Sequence, residues 1–160
     1  MPPRTLNSPL TCYRIGDADG RYDVWSAGAA QHLSGRWHEA GDRVIYAAEF
    51  YSTALLEKLV RTAELPSNQH YAMTTVPAGV SYEVFQRENH PDWASSEMVA
   101  SRTFGYRWVN EQRSALLIVP SAVARFDRNF VFNTAHLDYL KVKVDPETPV
   151  PWDGRLFQDG

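Results

Sequence analysis

Apolar and polar residues alternate along much of this chain with a period of two, and two stretches of helical period interrupt them. Thr11 to Ile15 sets Tyr13 and Ile15 against Cys12 and Arg14, which predicts a first strand. Asp17 to Gly20 is a turn, and Trp25 to Ser34 is weakly patterned loop. After the Gly41-Asp42 turn, Arg43 to Ala48 forms a strand around the β-prone Val44-Ile45-Tyr46. A helix follows, with Ser52 or Thr53 as its N-cap and Leu55, Leu56, Leu59, Val60 and Ala63 on one face, and Leu65-Pro66 ends it. Tyr71 to Val76 and Val80 to Phe85 read as strands separated by Pro77-Ala78-Gly79, the spacing of a hairpin. A second helix is predicted from about Ser95 to Asn110, with Met98, Val99, Phe104 and Trp108 as apolar contacts and Gly105 as an irregularity. Ala115 to Val119 is a continuous apolar run closed by Pro120, which suits a buried strand. Asn129 to Asn133 and the cleanly alternating Tyr139 to Val144 complete the strands. The proline-containing first ten residues read as an extended arm, and Pro146 to Pro151 reads as irregular. With no repeat or linker, strands interrupted by two helices argue a single α+β domain over residues 1–160.

Size and charge narrow the function. A chain of 160 residues can bury a sizeable core, and five Trp and eight Tyr supply rings for both core and pocket. The net charge is −3 and there is no Lys/Arg stripe, which argues against nucleic acid as the main partner. A small phosphorylated ligand needs only one or two arginines. The lone Cys12 rules out an intramolecular disulfide and suits packing better than chemistry. The N-terminus lacks the apolar core of a signal peptide and no run reaches membrane-span length, so a soluble cytoplasmic protein is expected.

Candidate chemistry concentrates between Ser34 and Leu59. Arg36 follows Gly35, and its guanidinium fork matches a phosphate at two points. Tyr46 stands late in a buried strand, where its ring can stack on a nicotinamide or adenine face while its hydroxyl stays hydrated. Glu57, at the border of the helix's apolar face, can accept from a ribose hydroxyl and stabilise an oxocarbenium-like ribose. Ser121 ends the Leu116–Val119 strand, where its hydroxyl can bond a phosphate; Ser114 at the other end competes with it. Arg14 is either a second phosphate clamp or an edge residue. Taken singly, each has a commoner and plainer role: a turn arginine, a core tyrosine, a helix glutamate paired with Arg61, a capping serine. His38, His90 and His136 lack metal-ligand spacing, so a metal site is not expected.

Taken together, these residues sit in a recognisable order. Tyr13-Arg14, Ser34-Gly35-Arg36-Trp37, Val44 to Glu49, Ala54 to Glu57, Gly105 to Trp108, Ser114 to Ala122, Asn133 to His136 and Trp152 to Phe157 resemble the RES-domain family across nearly the whole chain. The resemblance implies an ADP-ribosyltransferase-like fold, with a mixed or antiparallel β core and flanking helices. It implies the toxin of a type II toxin–antitoxin pair that consumes NAD⁺ as a substrate, without a metal. The nicotinamide–ribose bond is cleaved by hydrolysis or phosphorolysis, or ADP-ribose is transferred to a protein. The implied partner is an Xre-like helix-turn-helix antitoxin, in a hetero-oligomer. By motif, the family's arginine, tyrosine and glutamate fall on Arg36, Tyr46 and Glu57, its serine on Ser121 in preference to Ser114, and Arg14 matches the arginine after the first tyrosine. Arg14, Arg36, Tyr46 and Ser121 are thereby the NAD⁺-binding candidates. Two departures read as loop variation: His38-Glu39 stands where the family usually has Asn-Pro, and Asn133-Thr134 where it often has Asn-Pro. An inert, antitoxin-binding module is the alternative. An RNA-cleaving toxin does not fit the acidic charge.

Overall fold

The computed structural model describes residues 2–158. Its described strands are β1 (Arg4–Thr5), β2 (Leu10–Asp17), β3 (Val44–Ala48), β4 (Gln69–Val76), β5 (Ser81–Val84), β6 (Leu116–Pro120), β7 (Arg128–Asn133), β8 (Lys143–Val144) and β9 (Thr148–Pro149). Helices α1 (Tyr51–Leu59) and α2 (Val99–Asn110) flank them, so the α+β class is as expected. The strands form one sheet in the order β1-β5-β6-β7-β3-β2-β4-β8, with β9 also on β4. Every pairing is antiparallel except β5 with β6, whose connection runs through α2.

The central strands β3, β6 and β7 are buried on both faces, which accounts for their unbroken apolar runs. Period-two alternation divides their side chains. Ile45, Leu116, Ile118, Phe130 and Phe132 face one core, covered by Leu6, Trp25, Tyr139 and Val142. Val44, Leu117, Val119 and Val131 face a second core built on Trp37, Phe85, Trp93 and Trp108. Gly105 lets α2 reach this second core, because a Cβ there would stand 1.7 Å from the Trp37 carbonyl oxygen. The predicted irregularity is thus a packing requirement.

The sheet is split at its middle. β2 and β3 pair only at Tyr13↔Ala48, whereas β2 and β4 pair along their whole length. Beyond Tyr13 the strands diverge, and the Arg14 side chain takes the Tyr46 carbonyl in place of a ladder bond, at 2.9 Å. A cleft opens along this divergence.

Several local expectations are corrected. β4 and β5 are not a hairpin: β4 pairs with β2, and β5 lies in the other half of the sheet beside β6 and β1. Tyr139 to Val144 is a 3₁₀ turn over Leu137–Lys141 followed by two-residue β8. Tyr139 and Val142, three apart, pack on the core as that geometry requires. The N-terminal arm contains β1, and its Leu6 packs on the first core. The Trp25–Ser34 loop contains a 3₁₀ turn over Ala29–Gln31. Helix α2 begins at Val99, which is exposed rather than packed. Phe50, not Ser52 or Thr53, precedes the first turn of α1. The face of α1 is also rotated from the expected one: Thr53 and Ala54 are buried while Leu56 and Val60 are exposed. Small Ala54 permits close approach to the sheet, and the inward face is anchored through polar side chains.

Candidate active site

Glu57 is one turn beyond Thr53 on that inward face and lines the cleft. Its Oε1 accepts from Ser121 Oγ at 2.7 Å and from Asn129 Nδ2 at 2.8 Å. Ser121 is fully buried where the chain leaves β6, and its Oγ also accepts from the Ala124 amide at 3.0 Å. The serine hydroxyl is therefore committed to Glu57. Ser114 lies elsewhere: buried, it donates to the Leu116 carbonyl and accepts from the Trp108 indole. The structure thus brings Ser121, and not Ser114, to Glu57.

Asn129 was not among the sequence candidates. It sits on β7 opposite Ala48 and Val119, with the same parity as the core-facing Val131. A polar residue at an inward position of an apolar strand is the signal that marks it. Its Oδ1 is buried without a partner among the described residues. Thr53 and Asp127, also absent from the candidates, bond at 2.6 Å and join α1 to the loop between Ser121 and Asn129.

Arg36 projects from the turn before β3. Its guanidinium donates to the carbonyls of Trp93 at 3.1 Å and Ser95 at 3.0 Å, which holds it without a carboxylate contact. Burial lowers its pKa below the ordinary arginine value; Glu57 opposes the shift, and Arg125 and Arg61 add to it. Arg14 is held by the carbonyls of Val24 at 2.7 Å and Tyr46 at 2.9 Å. Burial lowers its pKa too; Tyr46 opposes this and Arg61 reinforces it. Both remain cations at neutral pH.

The Tyr46 ring lines the cleft, but its hydroxyl is not hydrated as expected. It meets His38 Nδ1 at 2.5 Å and the Trp37 amide at 3.1 Å. Burial pushes its pKa well above the usual phenol value.

The cleft has a volume of about 600 Å³, within the range of small-molecule sites. Lys58 on its wall lies 4.0 Å from Asp17, which leaves Arg14, Arg36 and Arg61 facing the single carboxylate of Glu57. The site is therefore locally cationic in a chain of net charge −3. Such a cleft suits an anionic ligand with a hydroxyl or a developing positive centre at Glu57. Among the described residues, no group of three or more His, Cys, Asp or Glu is arranged to hold a metal ion. No helix of the described residues is long and apolar enough to cross a membrane.

A Prs ADP-ribosylating toxin of Sphingobium sp. is 33% identical over 142 residues, covering 85% of this chain and 88% of its own length. A Toxin Res of Pseudomonas putida is 34% identical over 129 residues, covering 78% of this chain and 87% of its own. A chain of the M. tuberculosis MbcT-MbcA toxin-antitoxin complex shares the fold with a TM-score of 0.70 at 19% identity, over 96% of this chain and 89% of that one. Residues 11–153 match the RES domain, and the chain belongs to the RES domain family.

Proposed function

We propose that the protein is the toxin of a toxin–antitoxin pair and acts by cleaving NAD⁺ between nicotinamide and ribose. The observation that carries this reading is the orientation of Glu57 by Ser121 and Asn129, in a cleft with surplus arginines. Arg36, with Arg14, anchors the diphosphate, and the Tyr46 ring packs beside nicotinamide. The Glu57 carboxylate holds a ribose hydroxyl. As the C–N bond breaks, its electron pair neutralises the pyridinium nitrogen, and C1′ becomes electron-poor. Glu57 is negatively charged before that charge develops, so it stabilises the transition state without reorganisation. A nucleophile then bonds C1′: water, which loses a proton, or inorganic phosphate, or a protein side chain. The name of the Sphingobium relative favours the last acceptor. The toxin role is supported by the relatives' names and an antitoxin partner by the toxin–antitoxin complex, while a helix-turn-helix region in that antitoxin rests on the family resemblance alone.

The test is a time course of NAD⁺ with purified protein, with and without inorganic phosphate, resolving nicotinamide, ADP-ribose and its phosphorylated form. Nicotinamide release is expected, and dependence on phosphate would name the acceptor. Glu57→Gln keeps the size and removes the charge, so it should abolish most release with the fold intact. Release at the unaltered rate by that variant sinks the assignment.

A further inference from the structure

His38 is 3% exposed, and every polar atom of its ring is engaged. Its Nε2 stands 2.8 Å from the Leu33 carbonyl and 3.0 Å from that of Ala30. Both are pure acceptors, so Nε2 carries a proton, and because the Tyr46 oxygen already receives the Trp37 N–H at 3.1 Å, Nδ1 is the acceptor left for the phenolic proton. The Tyr46 hydroxyl, 2.5 Å away, donates to Nδ1. The hydrogen-bond chain therefore has one direction: Trp37 N–H to Tyr46 Oη, Tyr46 O–H to His38 Nδ1, and His38 Nε2–H to Leu33 O.

This chain encloses Arg36. On its one side Gly35 is fixed by Arg102, whose Nε donates to the Gly35 carbonyl at 2.8 Å, and by the Gly35 amide bonding the His38 carbonyl at 3.1 Å. A Cβ at Gly35 would stand 2.8 Å from His38 ring atoms and from Tyr46 Oη, so the backbone lies directly against the pair. On its other side Trp37 is held by Tyr46 and by packing on Phe85, with ring centroids 4.7 Å apart.

We infer that His38 is a positioning residue for Arg36: it orients the Tyr46 hydroxyl, which fixes the Trp37 amide and so the backbone that presents the guanidinium to the cleft. This rests on the reading of Arg36 as the anchor of the NAD⁺ diphosphate. It gives Tyr46 a second role, carried by its hydroxyl, beside that of its ring.

Two substitutions separate the halves of the imidazole. His38→Asn places its side-chain oxygen near the former Nδ1 and keeps an acceptor for Tyr46. His38→Gln reaches the Leu33 carbonyl with its amide but withdraws that acceptor. Expected in steady-state nicotinamide release is a fall in kcat/KM for H38Q of about tenfold to a hundredfold, the scale of a misplaced anchor. The fall should be carried largely by KM, with H38N near wild type. Tyr46→Phe should match H38Q, and the double variant should be no worse than either single one. A second readout needs no turnover: the Trp37 amide and Arg36 Nε–H resonances should shift in H38Q and stay in place in H38N. Equal losses in H38N and H38Q, wild-type kinetics in H38Q, or additive losses in the double variant overturn the inference. Wild-type protein that releases no nicotinamide overturns the NAD⁺ reading instead, and the resonance shifts then decide the role of His38.

Discussion

Thr53 and Asp127 lie 74 positions apart and share a 2.6 Å hydrogen bond that seats helix α1 on the loop between β6 and β7. One turn later on the same helix, Glu57 bonds the two ends of that loop through Ser121 and Asn129. The helix is thus pinned at two successive turns to one segment, and the carboxylate has little freedom to rotate. Thr53→Val keeps the shape and removes the donor. A hydrogen bond to a charged group contributes about 1.5–3 kcal/mol, so urea unfolding should show a loss of that order. NAD⁺ turnover should fall with it.

Asn129→Asp turns a donor toward Glu57 into a second carboxylate. Two carboxylates at that distance cannot both ionise cheaply, so one pKa in the folded protein rises above its unfolded value. The resulting sign is fixed: stability relative to the parent is best at acid pH and is lost as pH rises through the raised pKa. Denaturation midpoints of parent and variant across the acid range should diverge with increasing pH, and turnover at neutral pH should drop by about tenfold or more.

Arg14 occupies the place where the β2–β3 ladder would continue. Arg14→Met fills similar volume but leaves the Val24 and Tyr46 carbonyls without their donors. Each buried acceptor so abandoned costs about 1–3 kcal/mol. The expected outcome is a lower unfolding midpoint together with weaker NAD⁺ binding by calorimetry. Unchanged binding would remove Arg14 from the diphosphate site.

Asp138 provides a pH dependence of opposite sign. Burial alone would raise its pKa, but hydrogen bonds from the Ser81 hydroxyl and amide, and the nearby Lys141 ammonium, outweigh it and hold the pKa below the ordinary carboxylate value. Its stabilising effect is therefore fully present above the unfolded carboxylate pKa and lost as pH falls through the folded one. Asp138→Asn should flatten the acid side of the stability–pH curve, with least consequence where the parent's carboxylate is already protonated.

The central strands were legible because a continuous β-prone apolar run is a local property of the chain, whereas the clean alternation of Tyr139 to Val144 proved to be mostly a 3₁₀ turn. β3, β6 and β7 appear close to where Val44–Tyr46, Leu116–Val119 and Phe130–Phe132 predict them. Partners were not legible. Pro77-Ala78-Gly79 has the spacing of a hairpin, yet β4 and β5 belong to opposite halves of the sheet, because pairing depends on surfaces far away in sequence. The face of α1 was misread for a related reason. Its leucines suggest an apolar stripe, but the inward side is selected by polar bonds to residues more than 60 positions distant. Glu57 stood out by its place in a motif, while Asn129 carried only the weaker mark of a polar residue at an inward position of β7, and its bond to Glu57 lies in the fold. His38, read as loop variation, is a buried member of a hydrogen-bonded chain. Nothing local to its sequence distinguishes a loop histidine from one enclosed by Leu33, Ala30 and Tyr46.

The distance in sequence between Glu57 and its two donors also bears on how the protein is made. Ser121 and Asn129 are synthesised 64 and 72 residues after the carboxylate they orient. A nascent chain that stops before β7 has α1 but neither the strand that completes the central sheet nor the asparagine that points Glu57 into the cleft. Long-range strand pairing is slow to form. Activity of the proposed kind is thus withheld from any nascent chain that ends before β7.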